Sequence, residues 1–299
     1  MYKKKIVILI DGNSYLYRIY YAKYKKIKEN ILCTKVIYSM LYILKNIFLT
    51  YKPNNLIVVF DSKSKNFRKK IFNEYKANRT SMPNLLKLIS SKFKKILINI
   101  GIPIISIPTF EADDVIGTLS KDAEKNKEFV LIATCDKDLA QLVNKNIYIL
   151  NHLNNKIFNI QKIKKKYGVT PDLIIDFLAL TGDQSDNIPG VKGIGKKTAI
   201  ILINKIGGIN KIYKNISNIV NYNIKGQKNI IKKLIKGKKM AFLSYQLSKI
   251  KSNIILKQKY KTINLLSIFC PCKSYNIQYI HIIYKLKNII LKNTEKYYK

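Results

Sequence analysis

The segment FVLIATCDKD, residues 129–138, is a continuous apolar run that breaks off in two aspartates, Asp136 and Asp138. IVILID (6–11) and LIVVFD (56–61) repeat the pattern and end at Asp11 and Asp61. Apolar runs without polar alternation read as strands covered on both faces, the habit of parallel sheets. Helical patterns such as VIYSMLYILKNIFLTY (36–51) separate them, so the chain reads as α/β with a mainly parallel central sheet. Ligands in such sheets bind beyond the carboxyl ends of the strands. The acids are therefore expected to meet along one sheet edge.

Carboxylates are scarce enough here to be informative. The 299 residues hold 56 Lys plus Arg against 17 Asp plus Glu, a formal charge of +39. That balance points to a polyanionic partner, with nucleic acid ahead of a membrane surface. Joint enrichment in Lys, Asn, Ile and Tyr reads as compositional drift, which weakens the charge argument. Drift toward lysine leaves behind the acids that something requires. Nine of the 17 fall in five groups: Asp11; Asp61; Glu111, Asp113 and Asp114; Asp136 and Asp138; Asp183 and Asp186. The apolar run before Asp11 is too short for a signal peptide, and no stretch approaches the ~20 apolar residues of a membrane span. A cytoplasmic chain is expected. Its four cysteines and two histidines form no zinc framework.

Clustered carboxylates without His or Cys ligands favour hard cations, Mg²⁺ or Mn²⁺. Two such ions about 4 Å apart suit in-line phosphodiester hydrolysis. The other reading of any one of these acids is a helix cap or the partner of a lysine. Five groups converging on one edge favour the metal, because unpaired carboxylates repel. In IGIPIISIPTFEADDVIGTL (100–119) a short strand and a loop lead to a helix start, where Glu111 and Asp114 share a face.

A second unit opens with a helix over 167–180, Pro171 in its first turn, and continues through TGDQSDNIPGVKGIGKKTA (181–199) into a helix closed by Gly207-Gly208. Four of the 12 glycines lie within 182–195. Such a loop lets backbone approach phosphate at a helix N-terminus. It resembles a helix-hairpin-helix that grips a DNA strand without reading its sequence, through Gly190, Val191, Gly193, Gly195, Lys196, Lys197 and Thr198. An ordinary tight turn is the other reading. The cationic segment 67–97 reads as mostly helical with a break near Ser81-Met82-Pro83, and it contains YKANR (75–79), with Arg68 upstream. Either Tyr75 stacks on an unpaired base while Lys76 and Arg79 face the scissile phosphate, or the segment is a solvated helix face.

LIDGNSYLYR, VVFDSKSKNFRKK, YKANR, EADDVIGTL, DKDLAQLV, KYGVTPDLIIDFLALTGDQSDNIPGVKGIGKKTA and MAFLSYQLSKI resemble, in order and spacing, the 5′-3′ exonuclease domain of bacterial DNA polymerase I, in the flap endonuclease family. The resemblance covers about residues 5–256. It implies a PIN-like nuclease core over 1–166 with a helical arch around 67–97, then a helix-three-turn-helix DNA clamp over 167–256. Residues 257–299 remain a basic tail with some helix and no assigned role. Two Mg²⁺ ions are implied, one on Asp11, Asp61, Glu111 and Asp113, the other on Asp136, Asp138, Asp183 and Asp186, with Asp114 between the groups. The resemblance also implies that Lys76 and Arg79 position the 5′ strand, and less strongly that Arg68 does.

The implied substrate is DNA with a free 5′ end, a 5′ flap or an RNA–DNA primer junction, cut to 5′-phosphate and 3′-hydroxyl products in lagging-strand maturation and repair. A separate polymerase and ligase would complete the task, and a monomer suffices. Two positions depart from the family: Cys135 replaces a glycine before DKD, and Lys196 replaces an acid. If the loop needs positive φ at Cys135, Asp136 is expected to be displaced. The chain also reads as a stand-alone nuclease, without a polymerase. Two rivals stand beside this: a branched-DNA clamp whose nuclease site has decayed, and a PIN-type ribonuclease. Retention of all nine acids opposes the first; the 181–199 clamp opposes the second.

Overall fold

The computed structural model describes residues 5–24, 28–62, 64, 66–151, 156–256, 282, 284–286 and 288–289. Strand β1 (Ile6–Asp11) leads into α1 (Gly12–Tyr24) and α2 (Glu29–Tyr51), and β2 (Asn55–Val59) into the one-turn α3 (Arg68–Ile71) and α4 (Asn84–Asn99). Next come β3 (Ile104–Ile105), α5 (Ala112–Lys125), β4 (Phe129–Ala133), β5 (Ile147–Asn151) and β6 (Lys156–Phe158). The helical remainder is α6 (Ile160–Tyr167), α7 (Ile174–Thr181), α8 (Lys196–Ile206), α9 (Ile209–Lys214) and α10 (Gln227–Ser248).

The sheet order is β3-β2-β1-β4-β5-β6, parallel throughout except for β6 against β5. The three apolar runs are its centre, as their lack of alternation requires. Side chains still alternate in direction. Val7, Leu9, Ile57, Val59, Val130 and Ile132 face one core with α5 and the helices that follow β6. Ile8, Ile10, Leu56, Val58, Leu131 and Ala133 face another with α1, α2 and α4. The chain leaves β1 toward β2 on one side and returns to β4 on the other, a switch point that opens a crevice at the strand ends. Asp11 closes β1 in register with Val59, and Asp136 follows β4.

Helix α2 corrects one expectation. Ile31–Tyr51 is apolar and long enough to cross a membrane by composition, yet half of it is buried. Leu32, Val36, Ile37, Met40, Leu41, Leu44, Ile47 and Phe48 form a stripe against the sheet, the signature of a core helix.

The segment 67–97 is less helical than its pattern suggests, because only α3 and α4 form and Phe72–Pro83 runs irregularly between them. Lys76 there has φ 55°, a left-handed conformation that ends any helix. The expected helix over 167–180 divides likewise: Gly168, at φ 78°, closes α6, and a 3-10 turn over Pro171–Leu173 precedes α7. Gly207 closes α8, and the Asp176 carboxylate accepts the Ile209 N–H at 2.7 Å, capping α9. Of the tail, Ile282 and Leu286, four apart, are buried on the α2 side of the sheet, and most of 257–299 lies outside the described residues.

Candidate active site

Beyond the carboxyl ends of β1, β2 and β4 lies a cavity of about 730 Å³, lined by Asp11, Asp61, Glu111, Asp113 and Asp136 among others. Hydrogen bonds from neighbouring segments aim three of these acids. Asp11 accepts from the Ser14 N–H at 3.0 Å and the Thr134 hydroxyl at 2.9 Å, which fixes it across the β1–β4 crevice. Asp61 accepts from the Ala112 N–H at 2.8 Å and from Asn13, tying the end of β2 to the start of α5. Asp136 takes the Asp138 N–H at 2.9 Å, folding the DKD turn back on itself.

The remaining acids form a second group. Asp183 accepts from the Ser185 N–H at 2.9 Å and hydroxyl at 2.8 Å, holding the 183–186 turn that follows α7. Burial first, then repulsion from Asp136, Asp183 and Asp186, raises Asp138 to about 8. Burial likewise raises Asp11 to about 7, with repulsion from Asp136 and Asp61 adding to it. Asp113 lies well above the usual range, through burial and then through Asp136, Asp11 and Glu111. Asp136 thus acts on both groups at once. Burial also pushes Asp183 up, but hydrogen bonds from Lys137 and Ser185 outweigh it and hold this carboxyl low.

Three cations stand among these acids. Lys76 Nζ pairs with Glu111 and lies 3.4 Å from Asp186. Arg79 pairs with Asp186, and Lys137 with Asp183 at 2.8 Å. Among the described residues, no three acids stand close enough to hold an ion as they are. The donor set still fits a hard divalent cation: the oxygens are all carboxylate, they repel one another, and the buried Oδ1 of Asp138 has no hydrogen-bond partner among the described residues. Replacing lysine ammonium by such a cation would answer the same repulsion.

Several expected site residues lie elsewhere. Asp114 is fully buried, with both oxygens on the Arg68 guanidinium at 2.7 Å, and it completes the capping box of α5 with Glu111. The face shared by Glu111 and Asp114 is therefore a helix cap and a buried ion pair. Asp114 has no free oxygen for a metal, and Arg68, 2% exposed, reaches no DNA. Tyr75 is 3% exposed, packed on Ile188 and Leu247, and offers no ring face to a base. Its hydroxyl donates to Glu111 at 3.0 Å.

In the 190–198 turn, Gly193, Gly195, Lys196 and Lys197 are exposed and Thr198 is half-buried. Val191 is buried and spends its N–H on Leu180 O, so it contacts no strand. Gly190 is buried too, its N–H on the Ser244 hydroxyl. Cys135 lines the cavity without positive φ, so the side chain at this position needs no strained backbone.

The cavity wall also contains residues that motif reading passed over. Tyr17, Arg18 and Tyr21 line it from one face of α1, with the two rings stacked at 6.2 Å. Their spacing of three and four on a helix that starts at the first site acid was the available signal.

The comparisons agree with this geometry. Residues 6–168 match the model of the 5′-3′ exonuclease N-terminal resolvase-like domain, and 169–268 that of the 5′-3′ exonuclease C-terminal SAM fold. A 5′-3′ exonuclease of Buchnera aphidicola subsp. Baizongia pistaciae is 47% identical over 96% of this chain and 94% of its own. DNA polymerase I of Pseudomonas aeruginosa is 39% identical over 84% of this chain and 28% of its own length. The T5 5′-exonuclease, solved with divalent metal ions (zinc) bound, shares the fold at TM-score 0.68 and 19% identity, over 96% of this chain and 99% of that one. The catalytic core of Rad2 in complex with DNA substrate follows at 0.57 and 16%, over 97% and 93%. With both halves matched in order and a relative 47% identical along 94% of its length, the chain belongs to the 5′-3′ exonuclease family.

Proposed function

We propose that this chain hydrolyses phosphodiester bonds of DNA at free 5′ ends and at 5′-flap junctions, including RNA primers, with two Mg²⁺ ions as cofactors and Mn²⁺ as a substitute. The observation that carries the reading is one cavity in which acids from three strand ends meet the cations of the YKANR segment. Asp11, Asp61, Glu111 and Asp113 would hold one ion, and Asp136, Asp138, Asp183 and Asp186 the other. Bound there, divalent ions supply an activated water and neutralise charge on the phosphoryl group.

The chain's own residues do the rest. Lys76 and Arg79 exchange their carboxylate partners for the scissile phosphate, where their charge opposes the developing negative charge. Tyr17 and Tyr21 present a stacked aromatic wall to an unpaired 5′ base, the role that buried Tyr75 cannot fill. Arg18 on the same face suits the adjoining phosphate. Gly193, Gly195, Lys196, Lys197 and Thr198, at the start of α8, grip the duplex backbone through N–H groups and ammonium charge. Residues 167–256 are thus the clamp and 1–166 the cutting core. The products carry 5′-phosphate and 3′-hydroxyl ends. The chain would act in the cytoplasm as a monomer, leaving gaps for a separate polymerase and ligase.

Cleavage of a labelled 5′-flap duplex with Mg²⁺ and with chelator tests this. Mg²⁺-dependent cutting near the junction is expected, and Asp183→Ala should abolish it while retaining binding. Tight binding without cutting by the unaltered chain would return the decayed clamp, and preference for single-stranded RNA the ribonuclease.

A further inference from the structure

The turn carrying Lys76 is docked on the turn carrying Asp186 by main-chain and amide hydrogen bonds that use neither the Lys76 ammonium nor the Asp186 carboxylate. Asn78 Nδ2 donates to Gln184 O at 2.7 Å, and Asn187 Nδ2 donates to Glu74 O at 2.7 Å. Between these reciprocal bonds the Lys76 N–H donates to Asp186 O at 2.9 Å. Two residues at this junction hold left-handed backbone, Lys76 at φ 55° and Asn187 at φ 54°. Asparagine accepts that conformation readily; lysine does so at a cost and persists there only when its surroundings over-determine it. What that conformation achieves is visible in the side chain, whose ammonium reaches Glu111 of one acid group and Asp186 of the other.

We infer that Asn78 and Asn187 form a two-point latch that holds Lys76 in its strained conformation and so aims Lys76 and Arg79 at the reacting phosphate. Both are positioning residues, and neither lines the cavity. The latch rests on the cleavage reading for its purpose but not for its existence. Each asparagine amide closes a contact that neither turn makes within itself, and each lies beside the residue it serves: Asn78 next to Arg79, Asn187 next to Asp186. Glu74 O and Gln184 O, the two acceptors, frame the opposite ends of the junction. Removing either amide takes away one tie and leaves the Lys76 N–H on Asp186 O and the Arg79 guanidinium on Ser185 O and Asp186, so the junction loosens around the left-handed Lys76.

Asn187→Gly keeps the left-handed conformation available and removes only the amide, so it separates the latch from backbone strain. Asn78→Ala is its counterpart on the other turn. Single-turnover cleavage of the 5′-flap duplex is expected to fall about 10-fold or more in each, because a misplaced catalytic group costs rate steeply. Affinity for the same duplex with Ca²⁺ in place of Mg²⁺ should stay within about 3-fold, since the clamp is untouched. In a background carrying both Lys76→Ala and Arg79→Ala either change should add less than about 2-fold, because the latch then has neither group left to aim. A general structural role would instead give the same loss in both backgrounds, and that result, or unaltered rates in both variants, would overturn the inference.

Hydrogen exchange supplies a readout independent of cutting. Peptides covering 72–80 and 184–188 should exchange faster in Asn187→Gly than in the unaltered chain. Unchanged exchange in both peptides removes the latch whether or not the chain cleaves DNA. Failure of the unaltered chain to cut, with faster exchange in the variant, counts against the cleavage reading and leaves the latch standing.

Discussion

Arg68 grips Asp114 with two parallel N–H···O bonds of 2.7 Å, in a place where neither side chain reaches water. The guanidinium also donates to Leu247 O at 2.9 Å and to Lys249 O at 2.8 Å, so the pair joins α3 and α5 to the end of α10. Burial works against the charged guanidinium, but bonds and attraction from Asp114, then Glu111, hold its affinity for the proton above the ordinary value. The pair is a structural tie between the start of α5 and the end of α10.

Arg68→Ala should therefore act on stability. Removing one partner leaves Asp114 buried and uncompensated, which costs about 3–5 kcal/mol. Urea unfolding of the variant measures this directly. A loss below about 1 kcal/mol, of the kind an exposed pair gives, would return Arg68 to the surface and to DNA contact.

The meeting of the acids at one sheet edge was legible in the sequence, and the direction in which the residues of 67–83 face was not. Apolar runs ending in acids placed Asp11, Asp61 and Asp136 at one edge, because strand direction and sheet register leave little choice. The roles of Arg68 and Tyr75 were not legible, because a one-turn helix and an irregular loop carry no periodicity to say which side faces inward. Tyr75 is turned inward by Ile188 and Leu247, more than a hundred residues away in the chain, and Arg68 by Asp114 and the carbonyls of Leu247 and Lys249. Tyr17 and Tyr21 were legible by helical spacing, but charge drew the reading to the lysines. Cys135 was flagged by comparison with a glycine, and the loop turns out not to use positive φ there.

The acid cluster makes stability depend on pH with a definite sign. Asp11 binds its proton up to about 7 in the folded chain against 3.8 as the ordinary value, and Asp138 up to about 8. Across that interval the folded state holds more protons than the unfolded one, so stability falls as pH rises. Melting in chelator should therefore show a lower midpoint at pH 8 than at pH 5.5. Divalent ions require ionised carboxylates, so Mg²⁺ should raise the midpoint more at pH 8 than at pH 5.5. A midpoint in chelator that climbs between these values would show that the acids are ionised and relieved by their lysines alone.

Lys196 stands exposed in the first turn of α8, just past the Gly195 N-cap. Each phosphate contact contributes about 0.9 to the slope of log K against log salt. Lys196→Glu should weaken duplex binding and reduce that slope by about one. The readout is anisotropy of a labelled duplex across a salt series. An unchanged slope would place Lys196 away from the backbone and leave Gly193, Gly195 and Lys197 as the grip.

The glycines of the same turn divide by what a methyl group would meet. At Gly190, with φ 63°, a Cβ would sit 2.3 Å from Gly182 N and 2.6 Å from Thr181 C, all backbone that cannot swing aside. Gly190→Ala should cost about 3 kcal/mol or more, since it combines an unfavourable left-handed φ with a main-chain clash. At Gly195 φ is −89° and nothing lies within 4 Å, so Gly195→Ala meets no steric obstacle in the protein. Its stability should stay within about 1 kcal/mol, while affinity for duplex DNA falls, because the new methyl would stand where phosphate approaches the helix N-terminus. Urea unfolding and duplex binding of the two variants separate the roles. Equal loss of stability in both would make the whole turn structural, and undiminished DNA binding by a folded Gly195→Ala chain would move the strand away from the α8 N-terminus.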